Sequence, residues 1–173
     1  DKYNVNTPCF ILNEQDIVQN IYEFKTALNT YFAKNIIAYS VKTNSLPYIL
    51  KIVKDNGCYA EVVSYHEYNL AIKVGVQKEH IIYNGPMKSK ETFLDALENK
   101  ATVNIETWRE IDWLDELPTD KEYEVGIRIN INTSLVSPED ESHPNDDSRF
   151  GFSFESGEFE KAINLILFKK NIK

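Results

Sequence analysis

The chain of 173 residues is 42% hydrophobic and 27% charged, with six glycines and six prolines, enough apolar material for a core and unlike a disordered or collagen-like chain. Its 27 acidic residues outnumber 19 basic ones, for a net charge of −8, which argues against a basic stripe for sequence-independent nucleic-acid binding. Two cysteines, Cys9 and Cys58, are too few for a disulfide scaffold and read as reduced core residues.

In chain order, "PCFILN" (Pro8 to Asn13) predicts a short strand. Asn13 predicts the N-cap of a helix over "EQDIVQNIYEFKTALNTYF", with Glu14 and Asp16 in the first turn, where the helix dipole favours them. Ile17, Ile21, Phe24, Leu28 and Phe32 recur at three- and four-residue steps and make one apolar face. A rhythm of strand then helix follows. "NIIAYSVK" leads to "SLPYILKIVKDNG", "CYAEVVS" to "YHEYNLAIKVGV", and "HIIYNG" to "SKETFLDALEN". "ATVNIE" leads to "TWREIDWLDEL", and "EYEVGIRINI", after a loop, to "SGEFEKAINLILFKK". The stretch "PEDESHPNDD" (Pro138 to Asp147) reads as solvated surface.

The strands carry apolar runs such as Val62 with Val63 and Ile81 with Ile82, the pattern of strands buried on both faces. Alternating strands and helices predict a parallel α/β sheet with right-handed crossovers. Two architectures satisfy that: an open doubly wound sheet, or a TIM (β/α)8 barrel. A barrel needs eight units and typically about 250 residues, so on the barrel reading these five units form a partial barrel. No apolar run approaches the roughly 20 residues of a membrane span and no signal peptide opens the chain, so the expected location is cytoplasmic. His66, His80 and His143 stand at no metal-ligand spacing with either cysteine, and no metal site is expected.

In either architecture chemistry collects at the C-terminal ends of the strands. Those ends carry Lys42 with Thr43 and Asn44, Glu61 with Ser64, Asn84 with Gly85, then Glu106, then Arg128 with Asn130. Strand ends that merely meet solvent would also be polar. Lys42 closes a strand-like apolar run, and lysine is rarely buried unpaired. Partial desolvation there would lower its pKa and free the amine to attack an aldehyde as a Schiff-base nucleophile. The alternative is a structural ion pair between Lys42 and Glu61. No phosphate-binding loop, GxGxxG, HExxH or GxSxG is present.

The segments "TPCFILNE", "AYSVKTN", "YAEVVSYHEYNLAIKVGV", "HIIYNGPMKSKE", "GIRINI" and "SRFGF" resemble, in order, the start of the alanine-racemase-like, fold-type III decarboxylases that use pyridoxal 5'-phosphate. That family includes diaminopimelate, ornithine, arginine and carboxynorspermidine decarboxylases. The resemblance implies that Lys42 matches the lysine bonded to the cofactor. Glu61 matches an acidic position, commonly Asp, near the cofactor, and Ser64 and Glu67 match the polar positions of a "VSxxE" segment. Arg128 matches an arginine close to the cofactor ring, and Arg149 stands where the family usually has lysine. Tyr65 and His66 replace two glycines common in the diaminopimelate branch.

The family's cofactor-stacking histidine, phosphate-binding glycine loop and C-terminal β-domain have no counterpart here. The resemblance therefore implies that residues 1–173 are the N-terminal part of the cofactor-binding barrel of an amino-acid decarboxylase, inactive by themselves. Exposed sheet edges predict self-association, as a homodimer or otherwise. A racemase or cofactor-homeostasis barrel, a non-catalytic paralogue that binds a partner, and an unrelated doubly wound domain are the alternatives.

Overall fold

A computed structural model describes residues 6–132 and 150–173. Asn13 caps helix α1 (Glu14–Tyr31), its side-chain oxygen accepting the Gln15 backbone N–H at 3.1 Å. The repeating units follow: β1 (Ala38–Ser40), α2 (Pro47–Asp55), β2 (Tyr59–Ser64), α3 (Tyr65–Val74), β3 (Ile81–Met87) and α4 (Lys90–Glu98). β4 (Thr102–Ile105), α5 (Trp108–Trp113), β5 (Gly126–Ile127), β6 (Ile129–Asn130), β7 (Phe152–Ser153) and α6 (Glu158–Leu167) complete the order.

Strands β1 to β5 pair parallel in the order β1-β2-β3-β4-β5. That order decides between the two architectures. A doubly wound sheet reverses direction at a switch point, whereas a barrel adds each strand on the same side of the last. The fold is five consecutive units of a partial (β/α)8 barrel. With right-handed crossovers at every step, the helices fall on one face. Burial follows: Ala60, Val62, Ile81, Tyr83, Val103 and Ile105 are buried in one core with Tyr68, Ala71, Phe93, Leu97 and Ile111 of the helices. Their strand neighbours Glu61, Ile82, Asn84 and Asn104 are half-buried.

Several expectations are corrected. The strands are not buried on both faces, because helices cover only one. Pro8 to Asn13 form no strand; Phe10 and Ile11 are exposed, Cys9 with them, and no described strand pairs with the segment. On α1, Ile17, Ile21 and Leu28 are half-buried while Phe24 is exposed, as is Phe32, which follows the last helical residue as the C-cap. The stretch after Asn130, read as a loop up to the last helix, contains β7, which pairs parallel with β6. Arg128 joins the two sheets, its N–H donating to Ile105 O at 2.9 Å while its C=O accepts from Phe152 N at 3.0 Å. His143, Arg149 and the acidic stretch 138–147 lie outside the described residues.

Candidate active site

Parallel strands deliver all their C-terminal ends to one rim. At β1 the chain leaves the strand in a single 3-10 turn, Val41–Thr43. Val41 is fully buried in the core and anchors the turn, and Thr43 Oγ1 closes it by donating to Ser40 O at 2.7 Å. Lys42 is therefore exposed, not partly desolvated as its position after an apolar run suggests, because the turn carries it past the apolar layer that Val41 completes. Among the described residues its amine has no hydrogen-bond or ion-pair partner.

The alternative ion pair with Glu61 is not formed either. Glu61 instead accepts from Ser40 Oγ at 2.5 Å and from Asn84 Nδ2 at 2.9 Å, and Asn84 Oδ1 accepts from Asn104 Nδ2 at 2.6 Å. These four side chains come from β1, β2, β3 and β4, and they form a polar ladder on the sheet face that the helices leave uncovered. The ladder needs Gly126 on β5, the register partner of Asn104. A β-carbon there would fall 1.8 Å from Asn104 Oδ1.

Ser64 caps α3: its Oγ accepts the Glu67 N–H at 3.3 Å, and Glu67 Oε2 accepts the Val63 N–H at 2.8 Å. This is a capping-box arrangement displaced by one residue, and it gives Glu67 a structural role. Tyr65 and His66 open α3 as a tilted ring pair with centroids 4.0 Å apart.

The far side of the rim is held by charge. Glu106, with 1% of its side chain exposed, accepts two 3.3 Å hydrogen bonds from Arg128 Nη1 and one from the Gly85 N–H. Arg128 is 43% exposed and lies over the Phe150 ring, 5.1 Å from its centre. Gly151 lets this segment close on it, since a β-carbon there would meet Arg128 O at 2.6 Å. Behind Glu106 lie Lys88 and Glu110, with Nζ to Oε1 at 3.4 Å and both side chains wholly buried. Burial pushes the Lys88 amine below the usual lysine range and the Glu110 carboxyl above the usual carboxylate range; each charge partly offsets the other's shift.

Sequence reasoning places Lys42, Glu61, Ser64, Glu106 and Arg128 on this rim, and the structure brings them there. It misses Asn104, Lys88 and Glu110. Asn104 carries a usable signal, an amide inside an otherwise apolar strand. Lys88 carries none, since a lysine after a strand is ordinarily solvated.

Residues 14–173 match the family model described as pyridoxal-dependent decarboxylase, pyridoxal binding domain. The diaminopimelate decarboxylase of Bacillus subtilis is 27% identical over 181 aligned positions, covering 100% of this chain and 40% of that protein. The crystal structure of diaminopimelate decarboxylase from Methanocaldococcus jannaschii superposes with a TM-score of 0.77 at 28% identity, covering 97% of this chain and 40% of that one. The same enzyme in co-complex with L-lysine gives 0.76 at 27% identity, covering 96% and 40%. The chain thus spans about 40% of the length of these relatives.

Proposed function

This chain belongs to the pyridoxal-dependent decarboxylases, within their pyridoxal binding domain, and on that premise we propose that residues 1–173 form the N-terminal part of the barrel of a carboxy-lyase that releases CO2 from an amino acid, of the diaminopimelate decarboxylase type. One observation carries the reading. Lys42 presents an exposed amine with no partner among the described residues, at the strand-end rim, two residues after Ser40, whose hydroxyl helps to fix the Glu61 carboxylate.

The donor set fits pyridoxal phosphate. Lys42 supplies an amine for its aldehyde. The Ser64 oxygen accepts from Glu67 and leaves its own proton to donate. Arg128 is half-exposed and offers N–H groups beyond those directed at Glu106. When bound, the cofactor supplies the electron sink for loss of the α-carboxyl group. Glu61, immobilised by Ser40 and Asn84, sets a fixed negative potential beside the turn that carries Lys42. Arg128 sets a positive one across the rim, so an anionic, ring-bearing ligand is oriented rather than merely attracted. An amino-acid substrate is supported by the relative solved with L-lysine.

Self-association accompanies this reading. Phe10, Ile11, Leu167 and Phe168 are exposed large apolar side chains, which association of copies would remove from water. A cytoplasmic location is supported by two free cysteines and by the described helices, none of which is long and apolar enough to cross a membrane.

The test is incubation with pyridoxal phosphate, reduction with borohydride and peptide mass analysis. A single reduced adduct on Lys42 is the expected result. Adducts scattered over surface lysines, or none, would reject Lys42 as the cofactor-bonding residue of this chain.

A further inference from the structure

The Lys88–Glu110 pair has no part in the ladder or in the exposed rim, yet it closes a ring beneath Arg128. Gly85 N–H donates to Glu106 Oε1, and Gly85 O accepts from Lys88 Nζ at 2.5 Å. Lys88 Nζ donates to Glu110 Oε1 at 3.4 Å, and Glu110 Oε2 accepts the Glu106 backbone N–H at 2.8 Å. The carboxylate of Glu106 is thereby held from β3, through Gly85, and its backbone from α5, through Glu110, with Lys88 of the β3–α4 connection joining the two. We propose that Lys88 and Glu110 are positioning residues for Arg128, acting through Glu106.

The inference rests on the reading of Arg128 as a cofactor-facing residue. A buried ion pair is poor evidence of stability, because desolvation of two charges offsets their attraction. Its best-attested use is to fix geometry, and this pair has geometry to fix. Arg128 meets Glu106 only through two 3.3 Å contacts from a single nitrogen. A carboxylate free to rotate would not hold such a guanidinium in one place. The Gly85 N–H holds the carboxylate itself, Glu110 holds the backbone that carries it, and Lys88 ties Gly85 to Glu110.

The test needs no cofactor, so its outcome is separate from that of the Lys42 experiment. Modification of arginine by a dicarbonyl reagent is followed peptide by peptide in wild type, E106Q and E110Q. E106Q gives the rate for an Arg128 deprived of its carboxylate. E110Q keeps the volume but has one acceptor oxygen where Glu110 uses two, so it breaks the ring at one bond. Arg109 is the control, because it donates to Pro86 O and lies over the Trp113 ring, and so reports on whether α5 remains docked. In folded E110Q the Arg128 rate should rise roughly three- to fivefold, the factor for loosening a half-exposed ion pair, towards that of E106Q, with Arg109 unchanged. A wild-type Arg128 rate in folded E110Q overturns the proposal. So does a parallel rise at Arg109, which would mark a purely structural role. If E110Q does not fold, K88M/E110M removes both charges together and is held to the same two outcomes.

Discussion

Gly126→Ala tests whether the polar ladder is a tensioned unit or a set of independent contacts. The added β-carbon would lie 1.8 Å from Asn104 Oδ1 and 3.0 Å from Asn104 Cγ. The asparagine must therefore swing away and release its 2.6 Å hydrogen bond to Asn84. Loss of that bond costs about 0.5–1.5 kcal/mol, and leaving half-buried amide groups short of partners adds about 1 more. A distorted Asn104 rotamer costs about 0.5–1.5 kcal/mol. The reduced freedom of the unfolded chain returns about 0.4–1 kcal/mol, since Gly126 does not occupy a left-handed conformation. The net expectation is a loss of about 2 kcal/mol, or roughly 4–8 °C in Tm for a chain of this size. Urea denaturation of wild type, G126A, N104A and G126A/N104A closes a double-mutant cycle. Without the Asn104 amide the two close contacts are gone and the Asn104 Cα at 3.7 Å is an ordinary van der Waals contact, so G126A should be neutral or slightly stabilising in N104A, a coupling of about 2 kcal/mol. Equal costs of G126A in both backgrounds would refute the reasoning and place the strain in the β5 backbone.

Alkaline pH should destabilise the fold through its buried phenols. Burial pushes Tyr83 from 10.0 up to about 12, and burial together with Asp95 raises Tyr68. The folded state then holds protons that unfolded tyrosines release, so stability is full below about pH 10 and falls as pH rises towards 12. Y83F should flatten that fall in the urea midpoint; an unchanged slope would show that Tyr83 titrates as it does when unfolded. Self-association should appear in sedimentation velocity as a concentration-dependent rise in mean mass, reduced in F10S/I11S. A monomer at all concentrations would reject the apolar surface as an interface.

Much of the fold was legible because it depends on local physics. Asn13 reads as a cap because its side chain can reach an N–H only two residues on, and the alternation of strand and helix follows from runs of Val and Ile set against three- and four-residue steps. Lys42 and Arg128 drew notice as charged residues closing or interrupting apolar runs, and the resemblance to a known family gave them roles. Pro8 to Asn13 misled for the complementary reason: the segment has a strand's composition, but a strand exists only where another edge accepts its hydrogen bonds.

The sequence by itself determined the βα rhythm, the parallel class of the sheet and the candidate lysine. Only the tertiary structure decided that Lys42 is exposed while Val41 takes the core position, and that Glu61 is held by Ser40 and Asn84 rather than by the lysine. It also decided that Lys88, unremarked in a loop, is buried against a carboxylate 22 residues away. Local periodicity fixes which element forms. Burial and hydrogen-bond partners depend on which strand ends the closing sheet brings side by side, and that information is spread over residues far apart in the chain.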